Sequence, residues 1–466
     1  MLTLSATALI LNGLQTGRDV EFTSVGTDSR AITPGMLFVA IEGERFDGHD
    51  YVEQALRDGA SSALVRRDWA AAHPHLPLVG VDDTRLGLGQ LAAHWRSRFH
   101  IPLVGITGSN GKTTVKEMCA AILRADFGQH AVLATTGNLN NDIGVPLTLL
   151  RLHAPHRAAV IEMGMNHPGE IATLTRLAKP TVALVTNAQR AHLGGLGSLA
   201  EIVRAKGEIF EGLDNEGVAV INADDPHADE WRKMNAGRRI VTFGFAPEAT
   251  VHGQWRPTAL GGELELVAPQ GEARILLPLP GKHNGRNALA AAAACFAVGV
   301  PLAPVVRGLS GYTGTAGRLQ RKRGLQGACV IDDSYNANPD SMRAAIDVLA
   351  ALPGRRIFVM GDMGEVGEAA GQLHSEIGGY AKSQGIDLLF ALGEKSAAAV
   401  HDFGVGAQHF ASVDALVRAL RPQLDADTTV LVKGSRFMKM ERVVERIVEA
   451  AEAAPAGTTE RDCDAP

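Results

Sequence analysis

The sequence predicts an α/β protein built from three consecutive units, and three observations point there. At 466 residues, the chain is long enough for about three domains of the usual ~150 residues. Short apolar runs alternate with helical patterns along most of its length, the order that produces parallel sheets covered by helices. Fifty-two glycines against 5% aromatic residues suit a chain that turns tightly and often between strand and helix. With 45% hydrophobic and 21% charged residues, it can bury substantial cores, which excludes disorder as a description of the whole.

The first unit, residues 1–98, has LFVAI (37–41) as a strand. HDYVEQALRDGASSALVRR supplies its one clear helix, which stops near Gly59 and leads into a strand over 63–65. The second unit, 99–314, opens with IPLVGIT and continues with AAVIEMG, TVALVTN and VAVINADD. Such unbroken apolar runs are strands of a parallel sheet buried on both faces. Residues 250–280 differ, because GGELELVAPQGEARILLPLPG alternates and turns as antiparallel β does. Residues 288–306 carry no charge, but they are mostly alanine and are interrupted by Gly299, Pro301 and Pro304. That composition predicts a closely packed buried helix rather than a membrane span. The third unit, 315–452, repeats the strand–helix order with ACVIDDS, RRIFVMGD, DLLFALGE and TTVLVKGS, and residues 453–466 read as a disordered tail.

Charge and cysteine usage narrow the class. Lys and Arg total 45 against 51 Asp and Glu, a net charge of -6. This excludes a general nucleic-acid coat and leaves room for a local basic pocket around a polyphosphate. The four cysteines form no CxxC pair, so neither a disulfide framework nor a thiolate zinc site is expected. MLTLSATALILNGLQTG lacks the basic start and long apolar run of a signal peptide. A cytoplasmic monomer with no membrane or nucleic-acid partner is expected.

The strongest local signal is Thr107-Gly108-Ser109-Asn110-Gly111-Lys112-Thr113-Thr114, between the strand IPLVGIT and a helical stretch. Glycines let consecutive backbone N–H groups cup phosphate oxygens, and the helix start adds roughly half a positive charge. Lys112 would neutralise β/γ-phosphate charge, and the Thr113 hydroxyl would bind Mg²⁺. Counted from Gly105 the spacing is one residue longer than the usual phosphate loop, while the core from Gly108 to Thr113 fits. Polar residues also gather past other strands: Glu162, 187–192, 332–338, Asp362 and 433–436. In open parallel sheets ligands bind in the crevice beyond the carboxyl ends of the strands. Glu162 is a carboxylate at such a place. His192 reads either as a metal ligand or as a hydrogen-bonded structural histidine, and Lys206 by itself reads as a solvated helix lysine.

GITGSNGKTTVKEM, TTGNLNNDIGVPLTLL, EMGMNHPGEI, TNAQRAHLGGLGSLAEIVRAKGEIF, GKHNGRNALAAAAA, IDDSYNANPDSM, MGDMGEVG and VKGSRFMKMERVVE resemble the Mur ligases. The likeness runs from Thr27-Asp28-Ser29-Arg30 to about residue 450. It implies an N-terminal domain that binds a UDP-sugar, a central P-loop ATPase domain with a parallel sheet and a small antiparallel part, and a C-terminal Rossmann-like ligase domain. Within the family it is closest to the activity that joins D-alanyl-D-alanine to UDP-N-acetylmuramoyl-tripeptide, using ATP and two Mg²⁺ ions through an acyl phosphate.

By position, the resemblance makes Lys112 the phosphate lysine, with Thr113 and Glu162 on one Mg²⁺ and His192 on a second. Lys206 matches a lysine carried as a carbamate, an anionic neighbour of that second metal. Asn284 and Asn287 fall on the adenine side. Arg318, Asp333, Tyr335 and Asn338 serve nucleotide and acceptor, and Lys433, Ser435 and Arg436 face substrate. Ser29 and Arg30, with Asp47-Gly48-His49 nearby, take the UDP-sugar side. Three positions depart from the family pattern: Gly194 stands where an acid is expected, Gln189-Arg190 replace small residues, and Phe437 follows KGSR where a small residue is common. Rival readings are folylpolyglutamate synthetase, which lacks the uridine-binding domain, the diaminopimelate-adding sibling, whose DNPR string is absent here, and a switch-like NTPase.

Overall fold

The computed structural model describes residues 1–190, 193–258 and 261–449. His192 and the expected tail 453–466 lie outside the described residues. The chain divides into two compact units: Met1–Thr315 with Glu365–Gly367, and Ala316–Gly364 continued from Glu368.

The larger unit begins with a five-stranded sheet in the order Leu14–Thr16, Leu78–Val81, Ser62–Arg66, Met36–Val39, Ser24–Gly26. All its pairs are parallel except the first. The expected single clear helix is here a short one, Val52–Arg57, entered by a 3₁₀ turn at Gly48–Tyr51. Three further helices correct the sequence expectation, Leu4–Leu11, Arg67–Ala72 and the longer Thr84–Ser97. The first and the last carry an N-cap that satisfies the first backbone donors: Thr3 accepts from Ala6 N–H, and Asp83 accepts from Arg85 and Leu86 N–H. Leu4–Leu11 escapes a periodicity reading because apolar residues surround most of it, leaving no polar face.

A nine-stranded sheet follows, ordered Gly271–Leu277, Gly261–Ala268, Val251–Thr258, Arg239–Gly244, Val218–Asn222, Val182–Val185, Leu103–Thr107, Ala158–Glu162, Val132–Ala134. Pairing is parallel from Val132–Ala134 through to the start of Val251–Thr258. The last three strands form an antiparallel ribbon, as the alternating sequence predicts. Leu103–Thr107 lies between Val182–Val185 and Ala158–Glu162, so chain order reverses on either side of it. Such a reversal opens a crevice at the carboxyl ends, where the glycine-rich loop emerges.

The helix after that loop, Lys112–Phe127, is clasped by two others. Lys282–Val298 buries every residue from Ala288 to Phe296, and its small side chains let the backbones approach closely. Leu302–Ser310 comes nearer still: a Cβ on Gly308 would stand 2.5 Å from Ile122 Cα. The two helices of this uncharged stretch are separated by Gly299 (φ +97°), which caps the first, and Pro301, which opens the second. Among the described residues no helix is long and apolar enough to cross a membrane.

The smaller unit is a six-stranded sheet ordered Gln320–Arg323, Cys329–Asp333, Thr428–Lys433, Arg355–Gly361, Leu388–Leu392, Ala407–Phe410. Only the first pair is antiparallel. The two edge strands, QRKR and AQHF, are the ones the apolar runs do not announce, because an edge strand need not be buried on both faces.

Candidate active site

The glycine-rich loop is held in shape by the loop following the neighbouring strand. Ser109 N–H donates to Asn187 O at 3.0 Å and Asn110 N–H donates to Asn187 Oδ1 at 3.0 Å. The Thr186 hydroxyl donates to Asn110 O at 2.7 Å, and Gln189 N–H donates to Ser109 Oγ at 2.9 Å. Asn110 Nδ2 donates to Gln189 Oε1 at 2.6 Å. Two glycines are sterically required. Gly108 (φ +146°) passes so close that a Cβ would lie 1.9 Å from Thr186 Oγ1, and at Gly111 (φ +83°) it would lie 2.5 Å from Asn287 Oδ1. The loop is thereby clamped between Thr186 and the start of helix Lys282–Val298. Lys112 curls back over it, donating to Gly108 O at 2.6 Å.

One turn of chemistry converges beside the lysine. Glu162 ends its strand in register with Ile106, so its side chain reaches the helix that opens at Lys112. The Thr113 hydroxyl donates to Glu162 Oε2 at 2.8 Å, and Asn140 Nδ2 donates to Oε1 at 2.8 Å. Glu162 is buried, and its backbone N–H donates to Thr135 Oγ1 at 2.9 Å. The Thr107 hydroxyl donates to Met163 O at 2.9 Å, tying the two strand ends together.

Lys206 is not the solvated residue that its helix position suggests. It is 0% exposed, and among the described residues its Nζ has no hydrogen-bond partner. Burial, reinforced by the positive charge of Lys112, holds its pKa well below the usual lysine value, against the pull of Glu208 and Glu170.

Asn284 and Asn287 sit in the first turns of Lys282–Val298. Asn284 donates to Pro280 O at 2.8 Å and accepts from Asn287 Nδ2 at 3.2 Å. Beside them, Asp224 accepts from Phe245 and Ala246 N–H and from Arg286 Nε. Arg286 and Lys282 both lie over the Phe245 ring.

In the first sheet's domain, Arg30 is 87% exposed and forms a bidentate pair with Asp28, Nε to Oδ1 and Nη2 to Oδ2, both at 2.8 Å. Those hydrogen bonds hold the Asp28 carboxyl down at about 2. Ser29 lies between them, half-buried. His49 faces inward: Nδ1 donates to Asp47 Oδ1 and Nε2 accepts from Arg66 N–H at 2.9 Å, so it staples the fold.

In the smaller unit, Asp333 and Lys433 face each other across neighbouring parallel strands in register. Lys433 Nζ donates to Asp333 Oδ2 at 2.6 Å and to Asn336 O at 2.9 Å. Burial pushes the Asp333 pKa up while Lys433 and Arg318 pull it down, and burial prevails. Arg318 lies over the Tyr335 ring at 4.3 Å and Arg436 over the same ring at 5.8 Å. Ser435 Oγ accepts from Gly364 N–H at 2.7 Å and donates to Ala337 O at 3.1 Å. Asn338 caps helix Pro339–Ala350 in a reciprocal capping box with Ser341. Phe437 is exposed.

These geometries can be set beside known proteins. Residues 106–295 match the Mur ligase middle domain, residues 317–436 the Mur ligase glutamate ligase domain, and residues 21–96 the catalytic domain of the Mur ligase family. The UDP-N-acetylmuramoyl-tripeptide–D-alanyl-D-alanine ligase of Escherichia coli is 45% identical over 457 residues, 96% of this chain and 98% of the relative. The chain belongs to the Mur ligase family. Among solved Mur ligases, a crystal structure of MurF from Acinetobacter baumannii matches with a TM-score of 0.88 at 35% identity, covering 95% of this chain and 98% of that one. MurF ligase from Thermotoga maritima, solved in complex with ADP, matches with a TM-score of 0.80 at 26% identity, covering 91% and 96%.

In this Mur ligase, the structure gathers residues 107–114, Glu162, Asn284 and Asn287 in the larger unit. It gathers Arg318, Asp333, Tyr335, Lys433, Ser435 and Arg436 in the smaller one. Sequence reasoning missed Thr186 and Asn140, although both stand inside strings that carry the family likeness, while Asn187 falls in the strand-end cluster 187–192 that it singled out. Gln189, read as a departure, has a definite job, since it braces Ser109 and Asn110.

Proposed function

We propose that this Mur ligase joins D-alanyl-D-alanine to UDP-N-acetylmuramoyl-tripeptide at the expense of ATP, giving the pentapeptide precursor of peptidoglycan, ADP and phosphate. The observation that carries the reading is the convergence of Lys112, Thr113 and Glu162 at the carboxyl ends of adjacent strands. The relative from E. coli bears that activity in its name.

A carboxylate is a poor electrophile and does not form an amide in water unaided. The tripeptide's terminal carboxylate attacks the γ-phosphorus, the bond to the β-phosphate oxygen breaks, and ADP leaves. The amine of D-alanyl-D-alanine attacks the resulting acyl carbon, loses a proton, and phosphate departs. Both partners of the first step are anionic, so positive charge must be fixed where they meet. Lys112 supplies one such charge, and backbone N–H groups of the loop supply partial charge.

Magnesium fits the second supply. Thr113 and Glu162 offer two hard oxygens 2.8 Å apart beside the phosphate loop, and Mg²⁺ takes one or two protein oxygens together with phosphates and water. The ion would neutralise phosphoryl charge. The buried Lys206 amine, unpartnered among the described residues, fits a second site: its nitrogen would add to carbon dioxide and release a proton, leaving a carbamate whose negative charge the positive charge of Lys112 would favour. With carbon-13 bicarbonate, a carbamate resonance is expected in the wild type and not in Lys206→Arg; its absence from both removes this assignment. His192 would be the further ligand there.

Asn284 and Asn287 take the adenine side, supported by their place against the loop. Arg318, Asp333, Tyr335 and Asn338 serve nucleotide and acceptor, Lys433, Ser435 and Arg436 the peptide substrate, and Ser29 and Arg30 the UDP-sugar. Lys433 does so indirectly, because its ammonium is already committed to Asp333 and Asn336 O. The protein acts as a cytoplasmic monomer on small-molecule substrates, which light scattering of the purified chain checks for its mass. Phosphate release should depend on the UDP-muramoyl tripeptide and on D-alanyl-D-alanine together. Release with ATP alone at the same rate would instead mark an uncoupled NTPase.

A further inference from the structure

Lys116 is a buried lysine that the reaction as described leaves unused. It lies one turn after Thr113 on helix Lys112–Phe127, on the same face, as residues three apart do. It is 1% exposed, and burying an ammonium that deeply is costly unless its hydrogen bonds are met. They are met in a particular place: Nζ donates to Thr135 O at 2.7 Å, beside an ion pair with Glu117.

Thr135 is equally buried, and it is the residue whose hydroxyl accepts from Glu162 N–H at 2.9 Å. Its own N–H donates to Val160 O at 3.0 Å, two residues before Glu162. Thr135 therefore grips the end of strand Ala158–Glu162 by two bonds, while Lys116 holds Thr135 to the helix. The circuit closes through Thr113, whose hydroxyl donates to Glu162 Oε2. Helix, loop and strand are locked around the spacing between the Thr113 hydroxyl and the Glu162 carboxylate.

We propose that Lys116, acting through Thr135, is the positioning residue that sets the Thr113–Glu162 spacing for magnesium–nucleotide binding. The proposal rests on the reading of Thr113 and Glu162 as magnesium ligands. Ligands are held by the groups behind them, and loss of such a support typically weakens metal affinity about 10–100-fold. A lysine whose role is confined to its pair with Glu117 would affect stability and leave metal dependence alone.

The test is calorimetric titration of ADP into the full-length wild type, Lys116→Met, Thr135→Val and Thr135→Ser over a series of Mg²⁺ concentrations and in chelator, with melting temperatures taken alongside. Lys116→Met and Thr135→Val should each raise the half-saturating Mg²⁺ about 10-fold or more, with ADP affinity in chelator unchanged. Thr135→Ser, which keeps the hydroxyl, should restore the wild-type value. If the wild type binds ADP without Mg²⁺ dependence, the ligand reading falls and this proposal with it. If the wild type is Mg²⁺-dependent and the variants keep its half-saturating concentration while melting earlier, this proposal alone is overturned. Should Lys116→Met fail to fold, Thr135→Val decides by the same criterion.

Discussion

Lys112→Ala is expected to lower turnover by on the order of 10²–10³ while the protein stays folded. The ammonium is the full positive charge that the loop itself carries, and the first step drives one anion onto another. Its removal leaves the loop's backbone dipoles and any bound cation to hold developing phosphoryl charge, and each such stabiliser is worth about 3–4 kcal/mol in the transition state. The fold should tolerate the change. Lys112 donates to carbonyls of its own loop, Gly108 O and Ser109 O, and it is only half-buried. The loop's shape is fixed independently by Thr186, Asn187 and Gln189. Steady-state turnover with all three substrates, beside a melting curve, checks both halves. Turnover within about 2-fold of wild type, less than about 0.5 kcal/mol in barrier, would contradict the role assigned to the lysine.

Arg96→Ala should destabilise the larger unit by about 3 kcal/mol or more. Arg96 ends helix Thr84–Ser97 and is 6% exposed. Its guanidinium donates to four carbonyls: Ala178 O at 3.0 Å, Ile101 O at 3.3 Å, Lys179 O at 3.4 Å, and Phe99 O. Burial lowers its pKa, yet the group stays cationic because guanidinium starts so high. Two of those carbonyls close helix Glu170–Ala178, whose negative dipole end faces the charge. Truncation removes the donors and leaves the acceptors buried, the costly half of the exchange. Arg96→Lys keeps the charge but not the fork, so it should recover only part of the loss. Hydrogen exchange over residues 84–102 and 170–181, together with the melting temperature, provides the measurement. Unchanged protection in both segments would show that the four bonds contribute little.

Much of the site was legible because phosphate chemistry imposes a local pattern. The string from Thr107 to Thr114 needs its glycines wherever it occurs, and the structure shows what forbids side chains there: Thr186 Oγ1 at Gly108 and Asn287 Oδ1 at Gly111. Glu162 was legible for a related reason, since strand ends are where a parallel sheet delivers side chains to a ligand. Residues that work through a partner far along the chain were not. Lys116 and Thr135 look like ordinary helix and loop residues until the helix is laid against the strand. Lys206 reads as a solvated lysine by periodicity and turns out to be wholly enclosed. Leu4–Leu11 and the edge strands went unannounced because none presents one apolar and one polar face.

The alternation of the buried parallel strands with helices, the buried uncharged helix, the phosphate loop and the family follow from the chain as written, because each is encoded by neighbours in sequence. Which lysine is enclosed, which carboxylate meets Thr113, and which arginine closes a distant helix were decided only by folding. Those outcomes depend on burial and on partners about 50–80 residues away, and desolvation, unlike backbone periodicity, has no local signature.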